Sequence, residues 1–186
     1  AEQAHLNSLE FKVDHEPYLR KTDFTTLPEQ HRSYFEFDRS ISIFENLTHL
    51  NHWTFEHLYF KTGVTDVNTP LSEIIEKRHG VCQDFTHLFC AIAKYNGVPC
   101  RYVSGYLHQG HGFFGDSQMH AWAEALVPNV GWIGFDPTND LLASHNHIKV
   151  CHGKDYTDCA PLKGVVYTHG ANETKYSVFV KAAQQQ

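Results

Sequence analysis

Cys82 is the residue of this sequence best placed to act as a nucleophile. It follows the short loop His79-Gly80 and opens a segment whose apolar side chains recur at helical spacing, namely Phe85, Leu88, Phe89, Ile92 and Ala93. The first turn of a helix has unpaired N–H groups and the positive end of the helix dipole, so it favours a thiolate and can hold an oxyanion. The alternative is that Cys82 is a small buried core residue, because free cysteines are often buried.

A thiolate nucleophile needs a base, and the base needs an orienting group. Two segments of alternating pattern, 120–127 and 132–136, predict a hairpin. If its turn centres on Pro128, His120 lies opposite Asp136, with about 4.5–5.5 Å between their Cβ atoms. Alternatively, His120 is a surface strand residue and Asp136 opens a turn before Pro137. A consistent geometry of all three residue types favours a Cys-His-Asp site.

The same register predicts how the hairpin packs. It places Trp122 opposite Gly134, where the absent side chain leaves room for the indole ring, and Glu124 opposite Trp132. The other face carries only small side chains, those of Ala121, Ala123 and Ala125. A helix can approach such a face closely, and the helix that begins at Cys82 is the obvious candidate. That packing would bring Cys82 towards His120.

The rest of the chain predicts helices first and an antiparallel sheet afterwards, an α+β architecture. Residues 41–61 have a helical pattern ended by Gly63, Thr69 is the expected N-cap of a short helix, and Asn96-Gly97 ends the Cys82 helix. Three strands and one loop complete the prediction: strands at Leu9–Val13, Cys100–Leu107 and Tyr176–Val180, and a mobile glycine-rich loop beside the site at 108–119.

Composition narrows the possible functions. The chain has 186 residues, enough for one domain, and its net charge of −6 argues against nucleic acid as the main partner. No apolar run is long enough to span a membrane, so we expect no membrane partner. The odd count of five cysteines favours a reducing compartment, which we take as the cytoplasm. The chain begins at Ala1 rather than Met, which is compatible with removal of a leader or an upstream domain.

Fifteen histidines raise the question of a metal site. The candidate ligands are clustered late in the chain: His145, His147, Cys151, His152 and Cys159. Zinc sites favour close ligand pairs such as C-x-x-C, and here the two cysteines are eight residues apart. We therefore expect no metal and no cofactor.

Several segments, in this order, resemble the motif series of the transglutaminase-like superfamily: Gly80–Phe85, Arg101–Tyr106, His120–Glu124, Trp132–Asn139 and Gly153–Tyr156. The resemblance runs from about Ile41 to Pro161 and is closest to bacterial members described as cysteine proteases. It implies that Cys82, His120 and Asp136 are the catalytic triad. It also implies a papain-like fold in which the cysteine helix packs on an antiparallel sheet. Residues 1–40 would then be the remnant of an upstream β region or a wrapping arm, and 41–186 the catalytic core.

The resemblance implies an amide or peptide hydrolase that acts on a peptide or protein through a thioester acyl-enzyme. Two alternatives stay open, a protein-glutamine acyl transferase with the same triad and a non-catalytic binding module on the same fold. Trp53 or Tyr59 is a candidate second oxyanion donor, and Trp122 a candidate substrate-binding residue. The sequence does not determine the oligomeric state.

Overall fold

The computed structural model describes residues 2–108, 113–114 and 118–162, and single positions after them (164, 167, 169, 170, 173, 175, 177, 178 and 180). Its helices are α1 Glu2–Asn7, α2 Leu9–Asp14, α3 Glu16–Leu19, α4 Ile43–His57, α5 Leu71–Lys77, α6 Cys82–Tyr95 and α7 Tyr156–Cys159. Its strands are β1 Tyr59–Phe60, β2 His79–Gly80, β3 Cys100–Leu107, β4 His120–Val127, β5 Gly131–Asp136, β6 Leu141–Leu142 and β7 His147–Gly153. The predicted α+β class is confirmed.

One antiparallel sheet of five strands organises the fold, in the order β6-β5-β4-β3-β7. A small parallel pair, β1 with β2, connects the segment after α4 to the loop before α6. The strands β3 and β4 have the predicted bounds. β6 and β7 were not predicted. β6 has only two residues, and β7 is a sheet edge with mostly exposed residues, so neither has a clear hydrophobic pattern.

The sheet packs on α6, whose residues Gln83 to Lys94 are all buried. Small side chains make this close approach possible, since Ala123 and Ala125 of β4 lie in the same buried cluster as Phe85 and Phe89. The helix ends as predicted, with Gly97 in the left-handed region at φ +83°. This packing fixes the start of α6, and therefore Cys82, relative to β4.

The predicted strand at Leu9–Val13 is wrong, because this segment is helix α2. The Ser8 hydroxyl caps the helix by accepting a hydrogen bond from the Phe11 N–H. Phe11 is buried, whereas Leu9 and Val13 are 79% and 65% exposed. The alternation of apolar and charged residues therefore does not reflect burial on one side of a strand. The described residues 2–40 contain no strand, so no β region is present among them. The domain division at residue 40 stays a prediction.

The N-terminal segment is tied to α6 by a buried lysine. The Lys94 ammonium donates hydrogen bonds to the carbonyl of Arg20 and the hydroxyl of Thr25 on one side and to the carbonyl of Lys154 on the other. Further along, Asn96 bonds the backbone of Phe35 and Phe37. Residues 20–37 therefore cover the end of α6.

The start of α4 lies close to its predicted position, whereas the predicted N-cap of α5 is wrong. The helix predicted over 41–61 is α4, which begins after Ser42 with a capping box to Glu45 and ends before the predicted limit, at His57. For α5, the N-cap is Pro70 and not Thr69, and no side chain caps the helix. The Thr69 hydroxyl accepts from the Asp66 N–H instead, so it stabilises the preceding turn.

The hairpin of β4 and β5 is present, but its predicted register is wrong by two residues. Glu124 pairs with Gly134 rather than with Trp132, and Trp132 pairs with Leu126. The side-chain period of a strand is two, so a shift of two residues leaves every side chain on its predicted face. His120 and Asp136 are therefore diagonal neighbours on one face instead of direct partners.

Two predictions fall partly outside the described residues. These are the glycine-rich loop, of which 109–112 and 115–117 are not described, and the C-terminal strand at Tyr176–Val180, of which Tyr176 and Phe179 are not described. No helix in the described part of the chain is long and apolar enough to cross a membrane.

Candidate active site

The first residue of α6 is Cys82, and its side chain is half-buried. The preceding residue, Val81, is extended, and its N–H donates to the Asp84 carboxylate at 2.8 Å. The same carboxylate oxygen accepts a 2.7 Å hydrogen bond from the Thr65 hydroxyl, and burial raises the pKa of Asp84. A side chain at Gly80 would collide with Asp84, so glycine is needed there. These contacts fix the backbone that leads into Cys82.

His120 and Asp136 form a fully buried pair. Their side chains are 0% exposed, and Nε2 of His120 lies 2.7 Å from Oδ2 of Asp136. His120 is the first residue of β4 and Asp136 the last of β5, so both lie at the same end of the sheet. The structure thus brings the two residues together despite the two-residue error in register.

The His120 ring also interacts with Cys82. Among the described residues Nδ1 is buried without a hydrogen-bond partner, and Cys82 is close enough to contribute to the pKa of His120. Burial disfavours the charged ring, but the hydrogen bonds and charges of Asp136 and Cys82 outweigh it and raise the pKa of His120 to about 10. An imidazolium is therefore favoured between a sulfur and a carboxylate.

Asp136 accepts hydrogen bonds from four donors. Its Oδ2 accepts from His120 at 2.7 Å, from His147 Nε2 at 3.0 Å and from Asn139 Nδ2 at 3.0 Å. Its Oδ1 accepts from the Thr138 N–H at 3.2 Å. Burial alone would raise the pKa of Asp136, but these donors outweigh burial and hold that pKa well below its usual range.

His147 was considered in the sequence only as a metal ligand, and its contact with Asp136 was missed. It is the first residue of β7, which lies three strands away from β5 in the sheet order. The connection between β6 and β7 brings it back across the face of the sheet. A side chain at Gly134 would collide with Ala143, so this glycine lets the connection lie close to β5. A side chain at Gly105 would collide with the Ile148 carbonyl of β7 and with the Trp122 ring, so that glycine lets β7 and the indole lie close to β3.

Trp122 fills the space beneath these histidines. Its side chain is buried at 1% exposure, and its ring lies 5.1 Å from that of His147 in an edge-to-face arrangement. The His120 ring is 6.2 Å away, and a Cβ on Gly134 would lie 3.6 Å from the indole. Trp122 therefore packs against both imidazoles, while the proposed contact with substrate stays a prediction.

The two candidate oxyanion donors, Trp53 and Tyr59, contact residues other than Cys82. The Trp53 ring stacks on His57 at 4.4 Å, and Tyr59 is 67% exposed beside the Arg78 guanidinium. No hydrogen bond or ring contact among the described residues joins Trp53 or Tyr59 to Cys82. Their role in binding an oxyanion stays a prediction.

The described part of the glycine-rich loop contacts the site. The side-chain amide of Asn139 donates to the Phe114 carbonyl and to Asp136, and its oxygen accepts from the Phe114 N–H. The Phe114 ring stacks on Phe60 at 4.0 Å. Phe114 is thus linked to the Asp136 carboxylate through Asn139, which agrees with the predicted position of this loop.

The described histidines and carboxylates offer one group of potential metal ligands, His120, Asp136 and His147. It differs from the cluster considered in the sequence, of which only His147 takes part. The hydrogen bonds do not suit a metal, because the Ser144 N–H donates to Nδ1 of His147. The proton of the neutral ring is then on Nε2, the nitrogen that would have to bind the ion.

The other four cysteines are less suited to nucleophilic chemistry. The sulfurs of Cys90 and Cys100 lie 3.4 Å apart, both residues are 0% exposed, and burial raises the pKa of Cys100 well above its usual range. Cys159 is buried, with its pKa raised to about 12 by burial and by the neighbouring Cys151. All five cysteines are free thiols.

Comparison with known proteins agrees with this fold. Residues 37–137 match the sequence profile of the Transglutaminase-like superfamily, which covers more than half of the chain. The helix with its leading cysteine, packed on an antiparallel sheet, is the core of this class of protein, and the chain belongs to the Transglutaminase-like superfamily.

The curated relatives are bacterial and uncharacterized. A Mycobacterium leprae protein is 39% identical over 125 residues, which are 65% of this chain and 44% of that protein. A Mycobacterium tuberculosis protein is 38% identical over 122 residues, which are 61% of this chain and 39% of that protein. The chain thus spans about two fifths of the length of these two relatives.

Solved structures share the fold. A Cytophaga hutchinsonii protein described as a "Putative Cysteine Protease" superposes with a TM-score of 0.68 and 27% identity, over 79% of this chain and 49% of that one. LapG of Legionella pneumophila superposes with a TM-score of 0.50 and 16% identity, over 66% of this chain and 70% of that one. The second likeness concerns the fold alone.

Proposed function

We propose that this chain is a cysteine-dependent amide or peptide hydrolase with Cys82 as nucleophile, His120 as base and Asp136 as orienting group. One observation carries the proposal. Nε2 of His120 is bound to Asp136, Nδ1 is buried and has no hydrogen-bond partner among the described residues, and Cys82 is close enough to raise the pKa of the ring. A buried polar atom without a partner needs an explanation, and the thiol proton supplies one.

The reaction follows from this arrangement. Nδ1 of His120 takes the proton of Cys82, and the sulfur attacks the carbonyl carbon of the substrate. The N–H groups of the first turn of α6 hold the oxyanion that forms. His120 then gives its proton to the leaving amine as the C–N bond breaks, and a thioester remains on Cys82. Water attacks the thioester with His120 as base, which releases the carboxylic acid and restores the thiol.

Asp136 supports the charged stage of this cycle. Its carboxylate accepts from Nε2 and so keeps Nδ1 directed at the sulfur. The pKa of His120, raised to about 10, favours the imidazolium that forms when Cys82 loses its proton. We expect the substrate to be a peptide or protein. The free thiols suit a reducing compartment such as the cytoplasm.

Acyl transfer is the second candidate, and membership of the Transglutaminase-like superfamily favours it. The same triad forms the same thioester, and an amine instead of water takes the acyl group. The two reactions therefore differ only after the acyl-enzyme has formed.

A trapped acyl-enzyme tests the proposal. The reduced protein is mixed with p-nitrophenyl acetate, quenched in acid and analysed by intact mass and peptide mapping. We expect one acetyl group on Cys82, none in Cys82→Ala, and an unchanged adduct in the matched control Cys151→Ala, a half-buried cysteine outside the triad. Failure to acylate Cys82, together with no cleavage in a peptide library, would support the non-catalytic binding module instead.

The fate of the acetyl group separates the two chemistries. The acyl-enzyme is chased in buffer with and without a primary amine such as glycine methyl ester. Release as acetate at the same rate in both supports the hydrolase. Formation of the amide at the expense of acetate supports the acyl transferase.

A further inference from the structure

His147 is a buried imidazole that the catalytic proposal leaves without a role. Its side chain is 1% exposed, and its Nε2 lies 3.0 Å from the same Asp136 oxygen that binds His120. Two imidazoles therefore share one carboxylate oxygen. Packing alone does not explain why this histidine forms a hydrogen bond with the acid of the candidate triad.

The hydrogen bonds of His147 define its tautomer. The Ser144 N–H donates to Nδ1 at 3.2 Å, so Nδ1 carries a lone pair and Nε2 carries the proton. The neutral ring is consequently a fixed donor to Asp136. This differs from His120, whose ring faces a carboxylate on one side and a thiol on the other and is suited to exchange a proton.

The surroundings keep this donor in place. The Trp122 ring packs edge-to-face against His147, and the backbone of the next residue, Ile148, lies against Gly105. The His147 N–H also donates to the Ser144 carbonyl, so a short turn closes behind the ring. The ring cannot move away from Asp136 without disturbing the crossing of this connection over the sheet.

We propose that His147 is a positioning residue, which holds the Asp136 carboxylate in the orientation that supports the His120 imidazolium. Its role in turnover rests on the proposed hydrolase function. Asn139 and Thr138 also bind Asp136, but Asn139 is shared with Phe114 and Thr138 donates to the other oxygen. His147 is the partner of Oδ2 that belongs to another strand, β7, and not to the loop after β5.

Removal of the donor should weaken the thiolate–imidazolium pair. The titratable groups that face His120 are Cys82 from α6, Asp136 from β5 and, through Asp136, His147 from β7. Cys82 itself also faces Tyr102 from β3, which is the same in all the variants compared. Without His147, the carboxylate loses one of three donors on Oδ2 and can turn away from His120. A less supported imidazolium means that Cys82 gives up its proton only at higher pH.

The test is the pH dependence of Cys82 alkylation by iodoacetamide, followed by peptide mapping so that only this residue is counted. In His147→Leu, we expect the midpoint of the rate profile to rise by about one pH unit, a tenfold change in the proton equilibrium. His147→Gln should restore the wild-type midpoint, because its amide N–H lies near the place of Nε2. The matched control is His145→Leu, an exposed histidine two residues earlier, which should leave the midpoint unchanged.

A purely structural role would lower the melting temperature of His147→Leu and leave the midpoint where it is, and that result would overturn the proposal. A lower midpoint, or no restoration by His147→Gln, would overturn it as well. If His147→Leu does not fold, His147→Asn replaces it, because its shorter side chain places an amide near Nδ1 and cannot reach Asp136. The midpoint should then rise in the Asn variant and not in the Gln variant.

These profiles need no substrate, so the two proposals can fail separately. An unchanged midpoint in a protein that still acylates Cys82 would remove only the role of His147. A raised midpoint in a protein that neither acylates nor cleaves would retain the positioning role and remove the hydrolase.

Discussion

The substitution Asp136→Asn measures how strongly the site depends on one charge. By sequence alone the change is nearly isosteric at a strand end, and we would expect the fold to tolerate it. In the structure the side chain is 0% exposed and accepts from four donors. Asparagine has one acceptor oxygen and one amide group, so it cannot satisfy all of them.

The structure indicates the size of the loss. If the asparagine oxygen takes the place of Oδ2, its NH₂ group meets the Thr138 N–H, and an unsatisfied buried donor costs about 1–3 kcal/mol. The three remaining hydrogen bonds lose their charge, at about 1 kcal/mol each. The relief of not burying a charge offsets part of this sum. We expect a decrease of about 3–5 kcal/mol in the free energy of unfolding, the range for a broken buried ion pair.

Denaturant unfolding at pH 7 under reducing conditions measures this difference. The matched control is Asp140→Asn, because Asp140 also binds a histidine, His52 at 2.8 Å, but the two side chains are 32% and 63% exposed. An exposed ion pair contributes less than about 1 kcal/mol. Equal and small losses in the two variants would refute the reasoning, since the buried donors would then not depend on the carboxylate charge. In the folded Asp136→Asn protein, alkylation of Cys82 near neutral pH should also slow down.

Three further predictions follow from the same site. Brief iodoacetamide treatment should modify Cys82 faster than the fully buried Cys90 and Cys100, and equal labelling of the three would count against an activated Cys82. The pKa of His120 is raised from its ordinary 6.5 to about 10, so its contribution to stability is complete below about pH 6.5 and is lost as the pH rises to about 10. The free energy of unfolding of wild type should therefore decline over this interval, and more steeply than that of His120→Gln. Because the His147 proton lies on the nitrogen that faces Asp136, a chelator should leave the melting temperature unchanged, and zinc at about one per chain by elemental analysis would contradict this.

Local sequence signals predicted the parts of the site that depend on periodicity. The apolar stripe of α6 and the alternation of β3 and β4 gave these elements nearly their observed bounds. The strand period of two also explains why His120 and Asp136 were correctly predicted to share a face although the register was wrong by two residues. A shift by an even number keeps both side chains on one face.

The same local signals were misleading where neighbouring backbone groups decide the structure. Leu9–Val13 alternates like a strand, but the segment is a helix. Ser8 caps it, and Phe11 is buried whereas Leu9 and Val13 are exposed. Thr69 has the residue type of an N-cap, yet its hydroxyl is used by the turn that precedes the helix. In both cases the pattern over a few residues did not include the contacts that fix the backbone.

The second imidazole on Asp136 was decided by the tertiary structure alone. His147 follows Asp136 by eleven residues and belongs to a strand that is not a neighbour of β5, so neither spacing nor periodicity relates the two. Their contact exists because the chain between β6 and β7 leads from one edge of the sheet to the other, with Ala143 packed against Gly134 at its start. The sequence determined the three residue types of the candidate triad and the elements that carry them. The surroundings of Asp136, which set its charge and orientation, depend on a long-range crossing that no local pattern encodes.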